Sequence, residues 1–395
     1  AEGNQTTAEG IFAHAEGDQT TASGQTSHAE GMLTMAVGAY SHAEGYNSQA
    51  LAATSHAEGM TTSANGQFSH TEGYMTVTWG QQSHAEGRQS IASGLTSHAE
   101  GHQTSATTSY THSEGYKTIA SGVASHAQGT GTTASGAASH AEGQETLASG
   151  TYGAHAQGYQ TIASGITAHA EGWQTQAADY SHAQGHSTKA FGPVSHAEGY
   201  QTSATTDYAH AEGYSTKASG FQSHAEGASS IASAQSSHAE GGDTRAVGVQ
   251  SHAEGGATIA SGNSAHSEGI YTRAIGAASH AEGGNFISGV PNIFVSGGTA
   301  TGGGSHAEGI LTLASGTASH AQGTGTTASG IASHAEGYYS LASGNFSHAE
   351  GGDLNRGAPF GTSATTIAAH AEGVGTLASG LYSHAQGYET TASGE

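Results

Sequence analysis

A single pattern returns along this chain at a nearly constant interval: His, then Ala, Ser or Thr, then Glu or Gln, then Gly. Twenty-six histidines head a copy, from His14 to His384, and only His102 and His186 fall outside it. Twenty-one copies carry Glu at the third place and five carry Gln, at Gln128, Gln157, Gln184, Gln322 and Gln386. The spacing is 14 residues with few departures. His140 to His155 is 15, His169 to His182 is 13, His280 to His306 is 26 and His348 to His370 is 22, and the phase resumes after each. A fixed period of this kind is the mark of a stacked repeat.

Fourteen residues suit a flattened coil of two short strands and two tight turns. A second half-motif supports that division. Three residues after the motif glycine stands Thr or Ser in 24 of 26 copies, then often Ala-Ser-Gly, as in "TIASG" at 118–122. A helical reading fails, because glycine recurs about every seven residues, at about 1 kcal/mol each in a helix interior. The glycines are expected to supply positive φ or close backbone approach at the corners. The expected fold is therefore all-β: a parallel β-roll, or β-solenoid, of 14-residue two-strand coils, running as a single continuous repeat domain over residues 1–395. Loop insertions are expected at about 284–305 and 352–368.

Composition sets the limits of that fold. The chain of 395 residues has 63 glycines, 3 prolines and no cysteine, so no disulfide secures it. The formal charge of −24, with seven Lys and Arg, argues against a nucleic-acid partner. No apolar run reaches membrane-spanning length, and no membrane contact is expected within the segment. The sequence starts "AEG" and ends "ASGE", both inside a repeat, which reads as a piece of a longer protein.

Strand alternation assigns the faces. Ser27, Ala29 and Gly31 share one side with Thr34 and Ala36 of the second strand, while His28 and Glu30 share the other with Met35 and Val37. The interior is thus lined by small residues and buries little apolar area per coil, which favours association with other chains. The column between Thr and Ala holds Ile91, Ile119, Leu147, Ile231 and Leu341 but also Lys189, Lys217, Arg245 and Arg273, and reads as exposed or rim-like.

Stacking at about 4.8 Å places Glu above Glu and His above His. Two carboxylates at such a distance repel by roughly 1 kcal/mol in water and about 3–4 kcal/mol at an effective dielectric of 20. The expected compensation is a hydrogen-bonded, partly ionic ladder of His and Glu, within a chain or between chains, with His28, Glu30, His98, Glu100, His140, Glu142, His196 and Glu198 as representative members. Such a ladder should raise the imidazole pKa, so its stabilisation should be lost as pH rises. Gln fits this reading, because it still accepts a hydrogen bond and also donates.

Here the repeat resembles the YadA-like head repeat of trimeric autotransporter adhesins, found also in phage tail fibres and other surface fibres. The family motif has the form Ser-Val-Ala-Ile-Gly-x-x-Ser. Ser27, Ala29, Gly31 and Thr34 match it, with His28 and Glu30 in place of Val and Ile. The resemblance implies a left-handed parallel β-roll, a homotrimer around a threefold axis, and an extracellular place on a cell or virion surface. The function it implies is structural or adhesive, as an adhesin head or similar filament; a phage tail-fibre shaft or receptor-binding segment is the alternative. Rings of His and Glu near the axis would then link the three chains. About 27 coils at roughly 4.8 Å would span on the order of 130 Å.

Other readings of the same residues are weaker. His and carboxylate are zinc ligands, and His28, Glu30, His42 and Glu44 are the candidates for a metal-binding fibre, although Gln replaces Glu in five coils without disturbing the period. No cofactor and no catalysis are expected, since a pair repeated identically has no special member and an active site is unique. Ice binding needs an exposed Thr column, and alternation buries it. The insertions hold the densest apolar residues, Phe286, Ile293, Phe294 and Val295 in the first and Leu354 and Phe360 in the second. These are candidate contacts for a host receptor or glycan, or for a neighbouring chain. The tyrosines Tyr40, Tyr46, Tyr74, Tyr110, Tyr116, Tyr152, Tyr159 and Tyr338 are expected in turns, where stacking between chains is the ordinary role.

Overall fold

Each coil turns on two corners that the chain can make only with a left-handed residue. Leu33 and Tyr40 have φ of +60° and +62°, and the same two places in other coils repeat the value, at Asn47 and Thr54 or Gln103 and Tyr110. The conformation costs an ordinary residue about 1–2 kcal/mol. A backbone hydrogen bond to the preceding coil offsets it: Leu33 N–H donates to Asp18 O at 2.9 Å and Tyr40 N–H to Gln25 O at 2.8 Å. Only some coils place Gly there, as at Gly131 and Gly325, so these corners carry no fixed sequence sign and were not legible beforehand.

The computed structural model describes residues 1–286, 294–352 and 361–394. It divides into two units, Ala1–Val194 and Ser195–Glu395. In each, every coil contributes one long strand and one two-residue strand, as in His28–Met32 and Met35–Ala36. The strands stack in parallel on the next coil without slippage: His28 opposite His42, Ala29 opposite Ala43, Glu30 opposite Glu44, and Met35 opposite Gln49, Ala36 opposite Ala50. The first unit runs from Glu2–Asn4 to Lys189–Ala190, the second from His196–Tyr200 to Thr391–Ala392. Each is a parallel β-solenoid, and no helix occurs among the described residues.

The irregular spacings do not break the ladders. His140 pairs with His155 and His169 with His182 in the first unit. In the second, His280 pairs directly with His306 and His348 with His370, so both insertions leave the stack and return to it. The first insertion begins and ends in an antiparallel pair, with Asn285 opposite Val295 and Phe286 opposite Phe294. Ile293, Leu354 and Phe360 lie outside the described residues, and the contact roles expected of all six insertion residues remain expectations.

The interior matches the alternation argument. Ala29 and Ala36, from the two strands of one coil, are fully buried, and they join Ala15, Ala22, Ala43 and Ala50 in one cluster. Ser27 and Thr34 are buried beside them. Ser27 Oγ donates to Gly24 O at 2.7 Å and fastens the turn, as Ser41 does to Gly38. The largest fully buried side chains are threonines, which places the Thr column inside and away from any ice-facing role.

The two glycine sets do different work. The motif glycine, Gly31 at φ +113°, combines positive φ with contact, since a Cβ there would lie 2.1 Å from Gly45 O. The Ala-Ser-Gly glycine is there for proximity: a Cβ on Gly24 would meet Gly38 O at 2.0 Å.

Candidate functional site

Alternation turns the motif His and Glu outward on the long strand, and parallel register stacks like upon like. In the first unit the imidazoles of His28 and His42 lie 4.8 Å apart and 6° from parallel, and His112, His126 and His140 continue at 4.7 and 4.8 Å. In the second, His210 and His224 stand 4.6 Å apart at 1°, and His280 and His306 are 4.7 Å apart across the insertion. Ring tilt varies widely while centroid spacing does not: His14 and His28 meet at 85° and 5.0 Å. The strand spacing, not a preferred ring geometry, sets the distance.

Many imidazoles also have a carboxylate beside them, and that partner comes from the same coil. Nε2 to Oε2 is 3.9 Å for His28–Glu30, 3.7 Å for His98–Glu100, 3.6 Å for His140–Glu142 and 3.4 Å for His196–Glu198. These imidazoles are roughly a third to two fifths exposed and the carboxylates a little under half. Of these four, His196–Glu198 closes to a hydrogen bond. Within the chain, coils are joined by imidazole stacking and the acid–base pairs are loose and internal to the coil, while a His–Glu ladder between chains remains an expectation.

Glutamine does join coils. Gln128 Nε2 donates to Glu114 Oε2 at 3.2 Å, Gln157 to Glu142 at 3.3 Å, Gln322 to Glu308 at 3.1 Å and Gln386 to Glu372 at 3.1 Å. An amide in the column removes one charge and lends a donor to the carboxylate before it.

Where an imidazole pKa is displaced, the direction is opposite to expectation. Burial lowers it for His28, His56, His98, His126, His238, His252 and His266, and neighbouring imidazoles lower it further. The adjacent carboxylates raise it, by less. The sequence makes the carboxylate conspicuous, but the stack removes water from the ring and places a second ring where a second charge would sit.

Many Nε2 atoms in the column, including those of His28, His42, His56, His70, His98 and His252, are buried and have no hydrogen-bond partner. Ligand atoms converge in trios within 4.8 Å of one another, among them His56, Glu58 and His70, and a run from His238, Glu240 and His252 to His280, Glu282 and His306. Gln interrupts the column at five places, which weakened the metal reading of His28, Glu30, His42 and Glu44, but the run 238–306 has no Gln at the motif place.

Outside the ladder, Ile91 and Ile119 are 41% and 43% exposed and Lys189, Lys217, Arg245 and Arg273 are exposed, as their mixed column implied. The tyrosines divide. Tyr40 and Tyr110 occupy left-handed corners, but Tyr46, Tyr74, Tyr116, Tyr159 and Tyr338 end long strands rather than turns. Aromatic stacking there runs between coils of one chain, Tyr159 on Trp173 at 4.1 Å and Tyr200 on Tyr214 at 5.2 Å.

A family model of the YadA head domain repeat, two copies long, matches residues 1–27, 15–41, 80–107 and 321–347. No curated protein matches the chain. The matched stretches lie in both units, and coils outside them in each unit carry the same strand register, with His opposite His. Over these stretches, about a quarter of the chain, the coils are similar to YadA head repeats.

Proposed function

We propose that this chain is a length of extracellular, cell-surface fibre of the adhesin type, in which three copies lie side by side and the work is structural: spacing and presentation, with adhesion as a further role. The reading rests on the head repeats and above all on the alanine core. Most coils bury two alanines with hydroxyl side chains, and the coil of His70 buries Thr71 and Thr78 in their place, a small apolar area for holding a chain of this length in one state. Neighbouring copies would supply the missing burial.

The columns headed by His28 and Glu30, and continued at His98 and Glu100, His140 and Glu142, and His196 and Glu198, are the surface proposed to meet those copies. They replace the family's apolar pair, they are partly exposed, and they recur at the pitch that identical chains in register would share. A uniform ladder also supports a non-enzymatic role, since none of its members is set apart in a pocket. Sedimentation equilibrium tests the assembly. A mass near three times the 39.0 kDa of one chain is expected; a monomer at micromolar concentration overturns the reading.

A further inference from the structure

We propose that the ladder of the second unit between His238 and His306 binds divalent transition-metal ions, each held by two imidazoles from successive coils and the carboxylate between them. Two His nitrogens and one carboxylate oxygen are a donor set suited to Zn²⁺, with water completing a tetrahedron. Four consecutive trios occur in this run, from His238, Glu240 and His252 to His280, Glu282 and His306, with ligand atoms no more than 4.8 Å apart.

Two independent observations support it. The Nε2 atoms of His238, His252, His266, His280 and His306 are all buried and lack a hydrogen-bond partner. Glu240, Glu254, Glu268 and Glu282 stand 3.6–4.0 Å from the first four, within ion-pair reach but too far for a hydrogen bond, so each nitrogen keeps a lone pair or proton that a cation held between imidazole and carboxylate would use. The second is mechanical. An ion with bonds of 2.0–2.1 Å needs its ligand atoms about 3.3 Å apart, so atoms now up to 4.8 Å apart must draw in by as much as about 1.5 Å and the rings must tilt to converge. Ring pairs elsewhere in the column stand tilted by 43° or 46° at an unchanged 4.7–4.8 Å, so the stack accommodates that rotation without moving the backbone.

The arrangement fixes a number. His252, His266 and His280 each belong to two trios, and a nitrogen serves one ion. No more than two of the four trios can therefore be filled together. His252 and His280 between them enter all four.

The test is a Zn²⁺ titration of the full chain by calorimetry and native mass spectrometry, in whatever oligomeric state the chain adopts, so that a failure of the trimer reading leaves this one standing. The variant H252Q/H280Q is expected to bind two fewer ions than the parent. A second variant guards against misfolding: E240Q/E254Q/E268Q/E282Q keeps a side chain the column already accepts at Gln322, and is expected to weaken Zn²⁺ in this run tenfold or more. Co²⁺ should give tetrahedral ligand-field bands in the parent that the first variant loses in part. Equal stoichiometry in parent and H252Q/H280Q, unchanged affinity in the glutamine variant, or no Zn²⁺ bound at about 100 µM would each overturn the proposal.

Discussion

His238 and His252 stack with ring centroids 4.6 Å apart and planes 14° from parallel, and burial lowers the pKa of both. Their surroundings are mixed. His224 lies tilted at 37° against His238 and His266 stacks on His252, and Glu226, Glu240, Glu254 and Glu268 flank the column. A base whose pKa is depressed in the folded state makes protonation favour the unfolded chain, so its contribution is full above the unfolded value and is lost as pH falls through the folded one. The melting temperature should therefore hold above about pH 6.5 and decline as pH drops below it. Differential scanning calorimetry from pH 8 to pH 5 checks this; a melting temperature that rises on acidification contradicts it.

Two adjacent glycines should respond oppositely to one methyl group. Gly255 has φ of +107° and a Cβ there would sit 2.2 Å from Gly269 O, whereas a Cβ on Gly256 meets only Ile270 Cγ1 at 3.8 Å. Overpacking and strain together put Gly255→Ala at about 2–4 kcal/mol destabilising. Gly256→Ala should stay within about 0.5 kcal/mol. Paired urea unfolding curves separate them, and equal midpoints would refute the assignment.

Because coils touch mainly their neighbours in sequence, stability is close to a sum over coils and interfaces. Excising residues 224–237 joins one His column position to the next and should leave a folded chain with a modestly lower melting temperature. Excising 224–233 leaves four surplus residues before His238, which must leave the stack as the two insertions do, and should still fold, with a melting temperature lower than that of the 14-residue deletion. Circular dichroism melts of the two deletions give the readout.

Val194 occupies a left-handed corner at φ +59° and is half exposed. A β-branched residue is the least suited to that conformation, and Asn tolerates it. Val194→Asn should raise stability by about 1 kcal/mol, measurable as a shift of the urea midpoint without a change in slope. A destabilised variant would mean that the Val side chain makes a contact worth more than the strain.

Much of the fold was legible because the period leaves little choice. Fourteen residues, glycine at fixed places and strict alternation require two strands per coil, and they place Ala29, Thr34 and Ala36 inside and His28 and Glu30 outside. The corners were not legible, since Leu33, Tyr40, Thr96 and Gln103 share a backbone state but no side-chain chemistry; the hydrogen bond to the coil below, not the residue, selects it. The tyrosines were misplaced for a related reason: Tyr46 and Tyr40 are both near glycine in sequence, but Tyr46 ends a strand and Tyr40 makes a turn.

The sequence by itself determined which residues recur on which face, because side-chain alternation and a 14-residue period are properties of the chain alone. Only the tertiary structure decided how the recurring groups act on one another. Stacking at 4.6–5.0 Å strips water from the rings and puts a like group beside them, while a carboxylate of the same coil, where present, stays at 3.4–4.0 Å. At His56, His98, His238 and His252 desolvation and ring–ring repulsion outweigh the nearby negative charge, and that balance depends on distances between coils that no single repeat contains.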